Sequence, residues 1–518
     1  MKYRNPVIPG FYPDPSVCRV GEDYYLVNSS FEFFPGVPLY HSKDLVNWEQ
    51  IGHVLTRKSQ LPLEGCPNSA GIFAPTIRYH EGRFYMITTN ITGGGNFFVW
   101  TDDIHGEWSD PIWIEQTGAG LGIDPSLFWD DDGKVYFQGT FFDKESGRQC
   151  IGQGEIDLKT GKYLTEMRPL WFGTGGKCPE GPHLYKINGT YYLMIAEGGT
   201  EYGHMETIAR SDNVWGPFES CPRNPIVTQR DYMPVIVDYT NMTPDVIHGV
   251  GHADLVDDPE GNWHLVFHGF RPSVSMLHHI GRETMVAPVT WDSEDWPVVN
   301  GGKNILPEME LPGGDGWMAQ NSFDFAEDFT KDEKLPVRWA HLRNPIEENY
   351  RLENGLILTA GKDPLESLGA PTFVGVRQRQ FKSTVETELE FSPANEQQEA
   401  GLTVYHTGEH HYDLVVTQRN GKRVALLRRR VCDLLVESDP VELPESGKLI
   451  LKIEAERLNY RFLAGVVGGK LLPVGEGRTQ PLSTELMFGT FTGCFFGMFA
   501  QGDGAQAKYA CFSCKNSL

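Results

Sequence analysis

Five copies of one short pattern, a turn glycine followed by a strand rich in aromatic residues, recur along the N-terminal part of the chain. Equivalent positions in the five copies are Tyr25, Tyr85, Tyr136, Tyr192 and His264. Successive copies are 60, 51, 56 and 72 residues apart. A glycine turn beside β-favouring residues is the signal of a β-hairpin. Repeats of this length predict units that stack on one another and bury a shared core.

A second short strand precedes each hairpin. These strands begin at or near Asp14, Ala74, Asp124, Gly181 and His252. Outer elements that carry a tryptophan follow several hairpins. Five such units suit the four-stranded blades of a β-propeller, and no long amphipathic helical pattern competes with this interpretation.

The inner strands of the predicted propeller carry a candidate site. Asp14, Asp124 and Glu180 lie at the start of three inner strands, and His252 lies at the start of the fifth. The innermost strand of each blade lines the central channel. An Asp-Pro or Gly-Pro dipeptide alone is an ordinary turn signal. Three acidic groups at equivalent places in separate blades indicate instead a site at one end of the channel.

The pattern changes after the fifth repeat. Residues 300–316 are rich in Gly and Pro, as a linker would be. Apolar and polar residues then alternate over 385–391 and, less cleanly, over 449–455. Such strands have one buried face, which is typical of an antiparallel β-sandwich. We therefore predict an all-β chain with a five-bladed propeller over 1–305 and a β-sandwich over 320–518.

The amino-acid composition limits the binding partners and the compartment that are expected for the chain. The net charge of −24 would repel nucleic acid and anionic membranes, so a neutral substrate is expected. Nine scattered cysteines, an odd number, favour free thiols in a reducing cytoplasm over a disulfide framework. No apolar h-region is seen at the N-terminus and no stretch approaches a membrane span, which predicts a cytoplasmic protein. The oligomeric state is left open, and a homo-oligomer is compatible with the sequence.

The acidic residues fit one kind of chemistry. Cleavage of an acetal between sugars needs a proton for the leaving oxygen and a nucleophile for the anomeric carbon, and two carboxyl groups supply both. When water is the nucleophile, the two carboxyls stand about 6.5–9.5 Å apart. The base must stay ionised, whereas the acid must hold its proton near neutral pH through burial or a nearby negative charge.

Five segments of the chain carry a resemblance to known proteins: NPVIPGFYPDPSVCR, GIDPSLFWDDDGKVYF, PEGPHLYKINGTYYLMIAEGGTEYGH, GHADLV and GRETMVAPVTW. These segments resemble glycoside hydrolase family 43, which contains β-xylosidases and α-L-arabinofuranosidases. The similarity covers the whole chain, and it implies a five-bladed propeller followed by a concanavalin-like β-sandwich. The Gly-Pro after Glu180 separates the chain from related sucrose-cleaving propellers, which use a Glu-Cys motif.

The resemblance implies roles for individual residues. Asp14 corresponds to the general base that activates water, and Glu180 corresponds to the general acid. Asp124 corresponds to the residue that raises the pKa of Glu180 and holds it in place. Arg282 matches the arginine that hydrogen-bonds the terminal sugar; the alternative is a surface ion pair.

Three phenylalanines and one histidine complete the implied site. Phe31 matches an aromatic beside the sugar, with core packing as the alternative. Phe73 stands where close β-xylosidase relatives carry Trp. Phe491 resembles a sandwich-domain aromatic that reaches over the pocket, with burial in the sandwich core as the alternative. His252 matches a histidine that helps to hold calcium, largely through water; the alternative is a structural histidine.

Together these observations predict an inverting exo-glycoside hydrolase. We expect it to release terminal β-1,4-xylose and α-L-arabinofuranose from xylo- and arabinoxylo-oligosaccharides. The alternatives are a dedicated α-L-arabinofuranosidase and, from a different class, a non-catalytic sugar-binding propeller.

Overall fold

A computed structural model describes residues 1–115, 122–232, 246–274, 276–313, 315–487 and 489–517. Within these ranges the chain forms β-strands and four short 3₁₀ turns, with no α-helix. The turns are Asn300–Gly302, Glu347–Asn349, Gln480–Leu482 and Thr484–Leu486. No described helix is long and apolar enough to cross a membrane.

The N-terminal strands are β1 (Lys2–Arg4), β2 (Ser16–Val20), β3 (Asp23–Val27), β4 (Phe33–Phe34), β5 (Gly36–Ser42), β6 (Glu49–Leu55), β7 (Thr76–His80), β8 (Arg83–Asn90), β9 (Gly95–Thr101), β10 (Ile112–Trp113), β11 (Ser126–Trp129), β12 (Val135–Asp143), β13 (Arg148–Asp157), β14 (Lys162–Tyr163), β15 (Arg168–Trp171), β16 (Glu180–Ile187), β17 (Thr190–Glu197), β18 (Met205–Ser211), β19 (Glu219–Ser220), β20 (Val227–Thr228), β21 (His248–Asp257), β22 (Trp263–Phe270), β23 (Glu283–Trp291), β24 (Pro297–Val299) and β25 (Glu308–Glu310).

These strands form the five predicted blades. The blades are β2-β3-β5-β6, β7-β8-β9-β10, β11-β12-β13-β14 with β15 on β13, β16-β17-β18-β19 with β20 on β18, and β21-β22-β23-β24. We number them I to V in chain order. Each predicted hairpin joins the first two strands of a blade. The turn glycines have φ between 64° and 86°, a backbone region open to glycine at little cost, which is why glycine marks each repeat. They are Gly21, Gly82, Gly133, Gly189 and Gly261.

A buried ion pair ties the blades together around the channel. Asp254 of blade V contacts Arg78 of blade II, with 2.7 Å between Oδ2 and Nη1. The same carboxylate accepts hydrogen bonds from Ser16 Oγ of blade I at 2.7 Å and from the Tyr185 hydroxyl of blade IV at 2.5 Å. Four blades therefore meet at one side chain. Because a buried charge is tolerated only when it is paired and hydrogen-bonded, this network fixes how the inner strands face one another.

The C-terminal strands are β26 (Phe325–Asp328), β27 (His341–Leu342), β28 (Tyr350–Leu352), β29 (Leu356–Thr359), β30 (Thr372–Arg377), β31 (Lys382–Glu390), β32 (Glu399–Thr407), β33 (His410–Arg419), β34 (Lys422–Val431), β35 (Leu434–Glu437), β36 (Val441–Glu442), β37 (Leu449–Ala455), β38 (Asn459–Val466), β39 (Leu472–Arg478), β40 (Phe495–Gln501) and β41 (Gln506–Ser517).

Two antiparallel sheets form the predicted β-sandwich. One sheet has the order β28-β29-β41-β31-β37-β38-β39, with β26 on β41. The other has the order β30-β40-β32-β33-β34-β35, with β36 on β34. The alternation predicted over 449–455 is present, since Leu449, Leu451 and Ile453 are fully buried between the sheets while their neighbours are partly exposed.

Strand pairing and side-chain contacts join the two parts of the chain. Strand β25, inside the Gly- and Pro-rich stretch, pairs with β1 and so returns to the N-terminus. Strand β4 of the propeller pairs with β27 of the sandwich. Beside that ladder, the rings of Phe33 and Phe495 stack with their centroids 4.2 Å apart. The sandwich is thus fixed against the channel end at which the inner strands begin.

Candidate active site

An unusual backbone conformation marks the entry to the inner strands. Asp14, Asp124, Gly181 and His252 have φ of 52°, 56°, 56° and 50°. This left-handed region is uncommon for residues with a side chain, although Asp and His are enriched in it, and such strain clusters at functional sites. The shared conformation shows that Gly181, not Glu180, occupies the repeat position. Glu180 therefore precedes that position by one residue.

Asp14 is held from several sides although it is only 5% exposed. Its Oδ1 lies 2.6 Å from Arg282 Nη1 and 3.0 Å from His268 Nδ1. Its Oδ2 accepts a hydrogen bond of 2.5 Å from Ser29 Oγ. Burial alone would raise the pKa of Asp14, but Arg282 and the hydrogen bond with His268 outweigh burial and hold that pKa well below its usual range. Asp14 is therefore an ionised carboxylate.

Glu180 has the opposite electrostatic character. It begins β16, where the residue is partly buried. Burial and the negative charge of Asp14 raise the pKa of Glu180 to about 7, against the opposing effects of Arg282 and Lys177. Near neutral pH this carboxyl group can hold a proton and donate it.

Asp124 lies next to Glu180 and shares its environment. Its Oδ2 accepts a hydrogen bond of 3.3 Å from the backbone N–H of Gly181, which anchors the residue after Glu180. Burial and the charges of Glu180 and Asp14 raise the pKa of Asp124 well above its usual range. The hydrogen bond from the Gly181 N–H opposes this rise but does not outweigh it. The two neighbouring carboxyls therefore compete for one proton.

Arg282 is not a surface residue. It is 5% exposed, so the alternative of a surface ion pair is wrong. Its Nη1 donates to Asp14 Oδ1 and, at 2.9 Å, to Thr200 Oγ1. Its Nη2 lies 3.4 Å from the carbonyl oxygen of Phe491. One guanidinium thus links the ionised carboxylate to the sandwich.

Three aromatic rings form a wall beside these groups. Phe491 contacts propeller residues, with its ring 6.0 Å from that of Phe31 and 6.2 Å from that of Phe73. Its backbone N–H donates to Ser69 Oγ at 2.9 Å. The sandwich core is therefore not where Phe491 lies. Phe31 is almost fully buried in this cluster, whereas Phe73 and Phe491 are partly exposed.

His252 lies beside Asp14, with 3.8 Å between its Nδ1 and Oδ1 of the carboxylate. Its ring faces Gly181 and lies 5.7 Å from the ring of His268. Calcium takes about six to eight oxygen ligands. Across the residues described, no three His, Cys, Asp or Glu side chains form a group that could hold a metal ion. The side chains around His252 therefore do not form a calcium cage, and an ion there would depend on water and backbone oxygens.

Three contacts of the site, Ser29, Thr200 and His268, were not predicted from the sequence, nor was His204, whose ring lies 4.9 Å from that of His268. A signal exists for two of them. In these blades a polar residue lies at the end of the second strand or just after it. Ser29 comes two residues after β3, and His268 lies near the end of β22. Because the first two strands of a blade are antiparallel, the end of the second lies beside the start of the first, at the same end of the channel.

Comparisons with known proteins agree with this architecture. The family model "Glycosyl hydrolases family 43" matches residues 3–297. The model "Beta xylosidase C-terminal Concanavalin A-like domain" matches residues 326–514. Together the two matches extend over both parts of the fold.

The chain is similar along nearly its whole length to characterised proteins. It is 41% identical to a non-reducing end alpha-L-arabinofuranosidase of Bacteroides ovatus, over 97% of this chain and 92% of that protein. It is 38% identical to a xylosidase/arabinosidase of Butyrivibrio fibrisolvens, over 98% and 97%. Among solved structures, a xylan beta-1,4-xylosidase of Bacillus halodurans superposes with a TM-score of 0.90 at 33% identity, over 99% and 100% of the two chains.

Proposed function

The chain belongs to glycosyl hydrolase family 43, and from that premise we propose that it is an inverting exo-enzyme that releases terminal β-1,4-xylose and α-L-arabinofuranose from xylo- and arabinoxylo-oligosaccharides. Family membership makes it a glycoside hydrolase with xylosidase and arabinofuranosidase relatives. The alternative of a non-catalytic sugar-binding propeller therefore has no further support. The substrate and the stereochemistry of the reaction are determined by the residues of the site.

One observation carries the proposal: carboxyl groups at the entry to the channel have pKa values shifted in opposite directions. The pKa of Asp14 lies well below its usual range, whereas that of Glu180 is raised to about 7. Two titratable groups whose environments push their pKa values apart are the mark of an acid and base pair. Asp14 then acts as the general base that deprotonates water, and Glu180 as the general acid that protonates the leaving oxygen.

Other residues of the site support these two roles. Asp124 competes with Glu180 for one proton and holds the adjacent Gly181 backbone, so it is proposed to tune and position the acid. Arg282 keeps Asp14 ionised and is proposed to hydrogen-bond the terminal sugar with the donors that remain. Phe31, Phe73 and Phe491 are proposed to bound the sugar, whose C–H faces pack on aromatic rings. A wall supplied by the sandwich would stop the channel beyond one sugar and favour exo cleavage.

The substrate and the stereochemistry can be tested together. We expect the enzyme to hydrolyse both aryl β-xyloside and aryl α-L-arabinofuranoside. Proton NMR of the first product from the β-xyloside should show the α anomer, because water attacks the face opposite the leaving group. A β anomer as first product would exclude Asp14 as a base acting on water.

A dedicated α-L-arabinofuranosidase is the second candidate. It is favoured by the name of the Bacteroides ovatus relative. The family resemblance, which implies that Phe73 takes the place of a larger Trp of β-xylosidases, favours it as well. Activity on the arabinofuranoside alone, at comparable enzyme concentration, would select this candidate. Comparable rates on both substrates would select the dual function.

Phe491→Ala should lower kcat/KM by about 10- to 100-fold, mainly through a higher KM, because a missing apolar wall weakens binding by about 1–3 kcal/mol. The melting temperature should change little, since Phe491 lies outside the sandwich core. Steady-state kinetics on the aryl β-xyloside check this. Phe142→Ala, an exposed ring of blade III, is the matched control. An unchanged KM in Phe491→Ala would remove this residue from sugar binding.

We propose separately that a calcium ion binds near His252 and is held mainly through water molecules. Calcium that binds the folded state should raise the melting temperature by mass action. The measurement compares chelated protein with protein to which calcium is restored, for both melting temperature and activity. His252→Ala should abolish the response. If calcium changes neither quantity, His252 is a structural histidine.

The cellular location and the class of substrate are also part of the proposal. We propose a cytoplasmic enzyme that acts on short neutral oligosaccharides. In support, all nine cysteines are free thiols, as a reducing compartment would maintain. The high negative charge also disfavours binding to polyanions.

A further inference from the structure

Behind Asp14 lies a buried histidine that the roles above do not use. His268, on β22 of blade V, is fully buried. Its Nδ1 accepts a hydrogen bond of 3.1 Å from the backbone N–H of Asp14 and lies 3.0 Å from Asp14 Oδ1. One ring nitrogen thus touches both the side chain and the backbone of the same residue. That residue has a strained, left-handed conformation.

A second histidine holds the far side of the ring. His204, also fully buried, places its Nδ1 3.1 Å from His268 Nε2 and 3.2 Å from the carbonyl oxygen of Gly249. A side chain at Gly251 would meet the His204 ring at 2.8 Å, so the backbone of β21 packs closely on it. The line Gly249, His204, His268, Asp14 is therefore continuous and enclosed.

The direction of the hydrogen bonds along this line follows from the backbone of Asp14. Its N–H donates to His268 Nδ1, so that nitrogen carries no proton. Burial lowers the pKa of His268 to about 3, so the ring is neutral and its single proton lies on Nε2, which faces His204 Nδ1. His268 therefore holds the left-handed backbone of Asp14, and His204 holds His268.

We propose that His268, oriented by His204, is a positioning residue that fixes the backbone of Asp14 and thereby the direction in which its carboxylate leaves the inner strand. This rests on the proposed function, in which Asp14 is the general base. Arg282 and Ser29 hold the carboxylate of Asp14. His268 adds a hydrogen bond to the backbone of Asp14, from β22 of blade V. A displacement of about 1 Å in a catalytic group can cost about 100-fold in rate.

A pair of amide substitutions tests this directly. Asn at position 268 can place its amide oxygen where Nδ1 lies and accept the Asp14 N–H, whereas the amide group of Gln lies near the position of Nε2. We expect His268→Asn to keep kcat within about threefold of the wild-type value. His268→Gln and His268→Leu should lower kcat by about 10- to 100-fold, with KM changed by less than about threefold, because the sugar contacts are intact. Kinetics on an aryl β-xyloside and melting temperatures are measured for each variant.

His264→Leu is the matched control, since His264 is a buried histidine four residues earlier on β22 that pairs with Asp258. It should lose stability without a specific loss of kcat. Equal kcat in His268→Asn and His268→Gln would overturn the positioning role. If Asp14→Asn is inactive while both amide variants keep full kcat, only this inference fails. If Asp14→Asn is itself active, the proposed function fails first.

Discussion

Asp14→Asn is expected to lower kcat/KM by about 10²- to 10⁴-fold, on substrates with good and with poor leaving groups alike. General acid–base catalysis by one positioned group contributes rate enhancements of this size. In an inverting reaction, water attacks in the step that breaks the glycosidic bond, so an easier departure of the leaving group does not replace the base. Steady-state kinetics on a series of aryl β-xylosides measure both points.

Asn is the informative replacement because it keeps almost everything except the charge. It tolerates the left-handed backbone at this position, as most residues do not. Its amide oxygen can still accept the hydrogen bond from Ser29, and its backbone N–H can still donate to His268. Arg282, however, loses the carboxylate that compensates its buried charge, and a buried ion pair with one partner removed is destabilising. We therefore expect a lower melting temperature together with an intact fold.

The control for this variant is Asp23→Asn, in the same blade, where the carboxylate pairs with the exposed Lys43. It should retain wild-type kinetics. Circular dichroism and melting temperature separate loss of chemistry from loss of fold. A folded Asp14→Asn enzyme with more than about a tenth of the wild-type kcat/KM would show that another group deprotonates water.

The propeller could be predicted from the sequence because its repeat depends on local chemistry. Each hairpin needs a residue with positive φ at its turn, and glycine supplies it at Gly21 and its four equivalents. The sandwich could be predicted for a similar reason, since its strands alternate buried and partly exposed residues. The pairing of β4 with β27 could not, because it depends on two short strands that are far apart in the chain and have no pattern of their own.

The residues of the site also divide into those that the sequence predicts and those that depend on the tertiary structure. Asp14 and Asp124 could be predicted because they occupy the repeat position, and Glu180 because it directly precedes that position. His268 was not predicted, because in sequence it is one more residue of an aromatic strand. Its place beside Asp14 depends on the meeting of blades V and I as well as on the antiparallel pairing of blade V. The position of Phe491 also depended on tertiary structure. Its sequence was equally compatible with the sandwich core, and the choice is made by contacts with Phe31 and Arg282.

Glu180→Gln is expected to produce the second large loss, and this loss should depend on the leaving group. With a poor leaving group, kcat/KM should fall by about 10²- to 10⁴-fold, because the departing oxygen has no proton donor. With an activated aryl group, which leaves without protonation, the loss should be much smaller. Gln has nearly the shape of Glu and donates hydrogen bonds, but it cannot transfer a proton. Equal losses across the aryl series would remove Glu180 from the role of acid.

The pH dependence supplies an independent test of the same residue. A general acid is active in its protonated form, so kcat/KM should decline as pH rises through about 7, the raised pKa of Glu180. Because the pKa of Asp14 lies well below its usual range, the base stays ionised to more acidic pH, and the decline on the acid side should begin only there. Glu180→Gln should abolish the alkaline decline for an activated substrate. Glu219→Gln, on the outermost strand of the same blade, should leave the whole profile unchanged. An alkaline decline that persists in Glu180→Gln would assign the titrating proton to another group of the site, with Asp124 the neighbour that competes for it.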